Sequence, residues 1–158
     1  MHLPTQLAHH LKAVYFGGNW TSVNLKTELS GLSWAQVTAQ VYGLNSIATL
    51  VHHVHYYVRV VGKVLQGGPL DAKDKHSFEY PPIQSQEDWD QRLEQIWAEA
   101  EAFADMIAQL PEQQLWEVFS DSKYGNYYRN LQGIVEHLHY HLGQIVLIKK
   151  ILLQRGEG

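Results

Sequence analysis

Apolar residues recur with a helical period in four stretches of the chain. In the first, from Pro4 or Thr5 to Phe16, Leu7, Leu11, Val14 and Tyr15 mark one face. Pro4 suits a first turn, and Gly17-Gly18-Asn19 stops the helix. The second runs from about Ser46 to Leu65, with Asn45 as the expected cap. Its stripe is Ile47, Leu50, Val51, Val54, Val58, Val61 and Leu65, and Gln66-Gly67-Gly68-Pro69 ends it. The third opens at Ser85-Gln86-Glu87-Asp88, which approaches a capping box, and continues through Trp89, Leu93, Ile96, Trp97, Ala100, Phe103, Ala104 and Ile107 to a stop at Pro111. The fourth covers about Asn130 to Gln154, with Leu131, Ile134, Leu138, Leu142, Ile145 and Leu152 as its stripe.

The connections are less regular. Trp20 to Leu44 offers one short helical turn at Leu32–Val37, with Ser33 as its cap. A polar loop runs through Asp71 to Tyr80, and the Pro81-Pro82 pair keeps that stretch extended. Glu112 to Arg129 is irregular and rich in aromatics. Four long helices with little β patterning predict an all-α chain, one four-helix-bundle domain over residues 1–158.

Composition narrows the function. The chain is 45% hydrophobic and 18% charged, an ordinary globular balance and not a disordered one. The net charge is −4, and no Lys/Arg cluster follows a nucleic-acid backbone, so no nucleic-acid partner is expected. The absence of cysteine removes disulfides, thiolate metal sites and a Cys nucleophile. The first residues lack a basic segment followed by an apolar run, and no apolar run reaches the roughly 18 residues of a membrane span. The expectation is a cytoplasmic protein with no membrane partner.

Ten histidines are many for this length, and what matters is which of them share a helix face. At roughly 100° per residue, His53 falls on one flank of the second helix's stripe, beside Ser46 and Tyr57. His52 falls on the far side with Thr49, Tyr56, Arg59 and Lys63, the expected solvated face. His55 takes the opposite flank. On the fourth helix His137 and His141 lie four apart, one turn above each other, on the flank that also carries Gln144. His139 lies on the other flank. One imidazole from the second helix and two from the fourth can therefore meet in an inter-helix cleft, and three neutral imidazoles with open positions are a catalytic metal pattern. Zinc and nickel suit such ligands first, with iron and manganese also admitted. The competing explanation is that each flank histidine is a packed core residue with its ring nitrogens satisfied.

The surrounding residues sort in the same way. Leu138 stands where a His-Glu-x-x-His zinc protease carries its base, which excludes that chemistry. Gln144 either bonds a ligand histidine or faces solvent, and Gly143 is read as a packing glycine. Tyr57 is read as a packed aromatic with its hydroxyl satisfied. Tyr127, Tyr128, Arg129 and Asn130 either line a pocket mouth or pack the preceding loop on the bundle. Glu136 is surface, and Trp89, Trp97 and Phe103 belong to the core or to an interface.

Two motifs resemble the DinB-like family of metal-binding bundles, also called damage-inducible or YfiT-like. One is Ser46-Ile47-Ala48-Thr49-Leu50-Val51-His52-His53, whose alignment puts the family's ligand at His53. The other is His137-Leu138-His139-Tyr140-His141-Leu142-Gly143-Gln144-Ile145, which is similar to the family's His-x-x-x-His-x-Gly-Gln-Ile signature and puts ligands at His137 and His141. The resemblance implies a four-helix bundle, often a homodimer, with a divalent metal held by three His and completed by water. It further implies a small-molecule substrate, with thiol S-transferases that use a low-molecular-weight thiol, isomerases and hydrolases as the known activities. A non-catalytic, stress-related metal-binding bundle is the alternative.

Overall fold

The computed structural model describes residues 2–156. Its long helices are α1 (Leu3–Phe16), α4 (Ile47–Leu65), α5 (Gln86–Ala108) and α6 (Tyr127–Gln154), with two short ones, α2 (Leu25–Leu29) and α3 (Trp34–Thr38), between the first pair. α1 packs on α5 and α6, and α4 packs on α5 and α6, which closes a four-helix bundle. The core is contiguous from Leu7 to Leu152, and Trp89, Tyr15, Phe103 and Leu138 are among its fully buried side chains. Among the described residues no helix is long and apolar enough to cross a membrane.

Every α-helix start but that of α1, which has Pro4 in its first turn and no side-chain cap, carries a side-chain cap. Ser33 and Gln36 form a reciprocal capping box at α3, and the Ser85 hydroxyl accepts the Asp88 N–H at α5. Two starts differ from expectation. Ser46, and not Asn45, caps α4, because its Oγ accepts the Thr49 N–H at 3.2 Å. α6 begins at Tyr127, three residues ahead of Asn130. There the Asn126 side chain accepts the Arg129 N–H, and a lone antiparallel bridge between Val118 and Asn126 delivers the chain to that point. The irregular Trp20–Leu44 segment also holds α2, capped by Asn24 and tied to α6 by Lys149, whose ammonium reaches the Glu28 carbonyl at 2.7 Å.

A further correction concerns α4's supposed solvated face. The connection after α4 folds back over it through a 3₁₀ turn at Asp74–Phe78. Thr49 Oγ1 meets the Tyr80 hydroxyl at 3.0 Å, and the Tyr56 hydroxyl accepts the Lys73 N–H. His52 lies 4.9 Å from the Tyr80 ring, with a buried Nε2 that finds no partner. Burial pushes His52 down to about 4, against the opposing pull of a hydrogen bond to the His76 backbone. Periodicity along α4 cannot reveal this cover, because the covering loop has no period of its own.

Candidate metal centre

α4 carries His53 inward, and α6 carries His137 and His141 one turn apart on the face opposite it. The Nε2 atoms of His53 and His137 are 3.1 Å apart. The His53 ring centre lies 4.9 Å from that of His137 and 4.8 Å from that of His141, and the two α6 rings are 4.6 Å apart. One ring nitrogen from each lies within 4.8 Å of the others. Among the described residues no other group of His, Asp or Glu gathers in this way.

The outer partners decide which nitrogen is free. Ser77 donates its hydroxyl hydrogen to the Asp74 carbonyl at 2.6 Å. Its oxygen is then an acceptor for His53 Nδ1, 2.7 Å away, so Nδ1 carries the proton and Nε2 keeps its lone pair. His141 Nδ1 sits 2.7 Å from Gln144 Oε1, which only accepts, so His141 Nε2 is likewise a free lone pair. Second partners of this kind orient metal-ligating imidazoles and fix their tautomers. Nitrogens each about 2.0–2.1 Å from one tetrahedral ion lie about 3.3 Å from one another, close to the spacing of the His53 and His137 nitrogens. The residues fit a divalent transition metal.

The walls keep these imidazoles neutral. Phe78 stacks on His53 at 4.4 Å, and Tyr57 stands edge-on to His53 at 5.3 Å and to His137 at 5.1 Å. Burial pushes His137 down to about 4, and the positive charges that His141 and His53 would carry push the same way. Burial, then His141, lowers His53, and burial lowers His141. Uncharged imidazoles at neutral pH are what a metal requires. The Tyr57 hydroxyl donates to Asp74 Oδ1 at 2.6 Å; burial and that carboxylate raise its pKa to about 12. Beside His137 and Tyr57 a cavity of about 420 Å³ opens between α4 and α6.

The other histidines stay apart. His55 is 1% exposed, with Nδ1 3.1 Å from the Tyr15 hydroxyl and Nε2 2.7 Å from Glu99 Oε2. A neutral ring that donates from Nε2 to Glu99 and accepts from Tyr15 satisfies every polar atom there. Burial raises the Glu99 carboxyl, but hydrogen bonds from His55, Arg59 and Gln95 outweigh it and hold the group at about 2. His139 lines a surface groove with His9 and His10. Gly143 is not a packing glycine, since a Cβ there would meet nothing within 4 Å. Ser77, Phe78 and Asp74 escaped the sequence reading; the polar loop that holds them carries no periodic signal.

A family model described as the DinB superfamily matches residues 20–145, a span that includes all three histidines. No curated protein and no solved structure matches the chain.

Proposed function

The chain belongs to the DinB superfamily, and from that premise we propose that it is a metal-dependent enzyme. His53, His137 and His141 hold one divalent transition ion, zinc or nickel first, and the reaction is transfer to or from a low-molecular-weight thiol, or hydrolysis. The observation that carries this reading is the convergence of three imidazoles whose outer nitrogens at His53 and His141 are already occupied by Ser77 and Gln144. Three protein ligands leave positions for other molecules, which separates a reactive site from a closed structural one. The cavity beside His137 gives a substrate room to approach.

A bound ion of this charge supplies Lewis acidity, which makes a thiol or water acidic enough to lose its proton near neutral pH. The protein's own groups do the rest. Ser77 and Gln144 hold two rings in one tautomer, and Phe78 and Tyr57 cover His53, with Tyr57 also packed against His137. Asp74 ties the Tyr57 hydroxyl, so that ring forms a fixed wall and not a mobile donor.

The test is metal content of protein purified without a His tag or nickel column, beside His53→Ala and His137→Ala. The reading requires about one equivalent of transition metal in the parent and loss from both variants, followed by conjugation of electrophiles to added thiols or ester hydrolysis by the loaded protein. Parent protein that takes up no zinc, nickel, iron or manganese contradicts it.

A further inference from the structure

α6 carries Arg129, Gly133 and His137 at successive steps of four, a row that winds by about 40° per step and borders one cavity. At 1.5 Å per residue the row from Arg129 to His137 is about 12 Å long. The cavity of about 420 Å³ lies along this row, bounded by Val60, Val61, Leu70, Phe119 and Ile134. Gly133 is its floor: a Cβ built there meets nothing within 4 Å. Glycine weakens a helix interior relative to alanine, and here no neighbouring group demands it, so what the missing side chain provides is open cavity.

The two ends of the cavity differ. His137 closes one end, and Arg129 and Lys123 stand at the other. Lys123 lies 3.6 Å from Asp121 Oδ2 and over the Tyr124 ring at 4.9 Å. The Arg129 guanidinium makes no hydrogen bond or ion pair with another described residue. Its side chain is laid across Gly125, whose φ of +77° already excludes most residues. A Cβ at Gly125 would sit 2.9 Å from Arg129 Cδ. On the opposite side of α4, Arg59 borders a cavity of about 510 Å³, but Glu99 already occupies that guanidinium. Arg129 is thus a solvent-exposed cation at the mouth of an apolar cavity, paired with no carboxylate among the described residues.

We propose that this cavity binds an apolar carboxylate with a body about eight carbons long, its acid group on Arg129 and its far end beside His137. A planar guanidinium pairs a carboxylate through two parallel hydrogen bonds, and the apolar walls take the hydrocarbon body. The inference names the substrate class for the metal-dependent reading and rests on it only for the chemistry at the His137 end. The cavity and Arg129 exist without an ion.

The experiment is calorimetric titration of octanoate, octanol and octylamine into zinc-loaded and EDTA-treated protein, with Arg129→Gln and Gly133→Leu as variants. Octanoate binds both forms of the parent, and octylamine binds about tenfold more weakly or worse. Arg129→Gln weakens octanoate by a similar factor and leaves octanol unchanged. Gly133→Leu abolishes octanoate and octanol binding while zinc content is kept and the thermal midpoint does not fall. Equal binding of octylamine, an unaffected Arg129→Gln, octanoate retained by Gly133→Leu, or binding only when zinc is present each overturns the proposal. In the last case the carboxylate sits on the ion. Parent protein that binds octanoate but no zinc overturns the metal site and leaves this inference standing.

Discussion

His53 on α4 and His137 on α6, 84 residues apart in sequence, bring their Nε2 atoms to 3.1 Å. His53 Nε2 is a lone pair, because its Nδ1 proton is directed at Ser77. That tautomer depends on one hydroxyl. Ser77→Ala removes the acceptor while leaving a buried small side chain, and Gln144→Leu does the same for His141. Each variant lowers zinc affinity about 10–100-fold without loss of the helical fold, as read by competition with a chromophoric chelator. Unchanged affinity in both would mean the outer bonds do not set the site.

Acid destabilises the metal-free protein earlier than carboxylate titration alone would. His52 and His137 sit at about 4 in the folded chain against an ordinary 6.5, and His53, His55 and His141 are also lowered. The unfolded chain therefore binds these protons first as pH falls. The stabilisation is complete above about 6.5 and drains away toward 4. Glu99, at about 2 against 4.5, adds a further loss below 4.5. Denaturant midpoints measured from pH 7.5 to 4.5 fall steeply across this window; a flat profile contradicts the assignment.

His52 tests whether its buried Nε2 is a liability. That atom has no partner, and an orphaned buried polar group costs about 1–3 kcal/mol. His52→Leu raises stability by about 1 kcal/mol at pH 7 and by more at pH 5, with zinc content intact. A loss of stability would mean that the hydrogen bond between His52 and the His76 backbone outweighs the cost of burying the ring, and a loss of zinc would give His52 a role at the metal centre.

The His55 network is independent of the metal centre. Glu99→Leu leaves His55 Nε2 and the Arg59 guanidinium without their shared acceptor and destabilises the fold by about 2–3 kcal/mol. Zinc stoichiometry stays at the parent value. A variant with lost zinc but full stability would link the two networks.

The sequence made the long helices and the three histidines legible for one reason. Both depend on spacing within a helix, where Val54 and Leu138 report the buried face and His53, His137 and His141 follow by rotation. What it concealed is non-local. Nothing in Asp74–Phe78 announces that the turn will fold onto α4, so Ser77 and Phe78 were invisible as partners of His53, and His52 was placed in solvent. Neighbouring candidates also compete locally: Asn45 and Ser46 are both good caps, and only the hydrogen bond to Thr49 separates them. α6 starts at Tyr127, capped by Asn126, because the Val118–Asn126 bridge orders the aromatic loop, and periodicity does not encode that bridge. Gly143 lies beside the ligand row in sequence, but Gly133 is the glycine that shapes the cavity.

The central claim is that three imidazoles hold one ion. X-ray absorption on zinc-loaded protein counts them directly. The account predicts three imidazole nitrogens at about 2.0 Å, with the remaining position filled by an exchangeable oxygen ligand. It also predicts that His53→Ala, which loses its metal on purification, shows at most two imidazoles when zinc is forced onto it at high concentration. A parent spectrum with one or two imidazoles, or one that His53→Ala leaves unchanged, would contradict it.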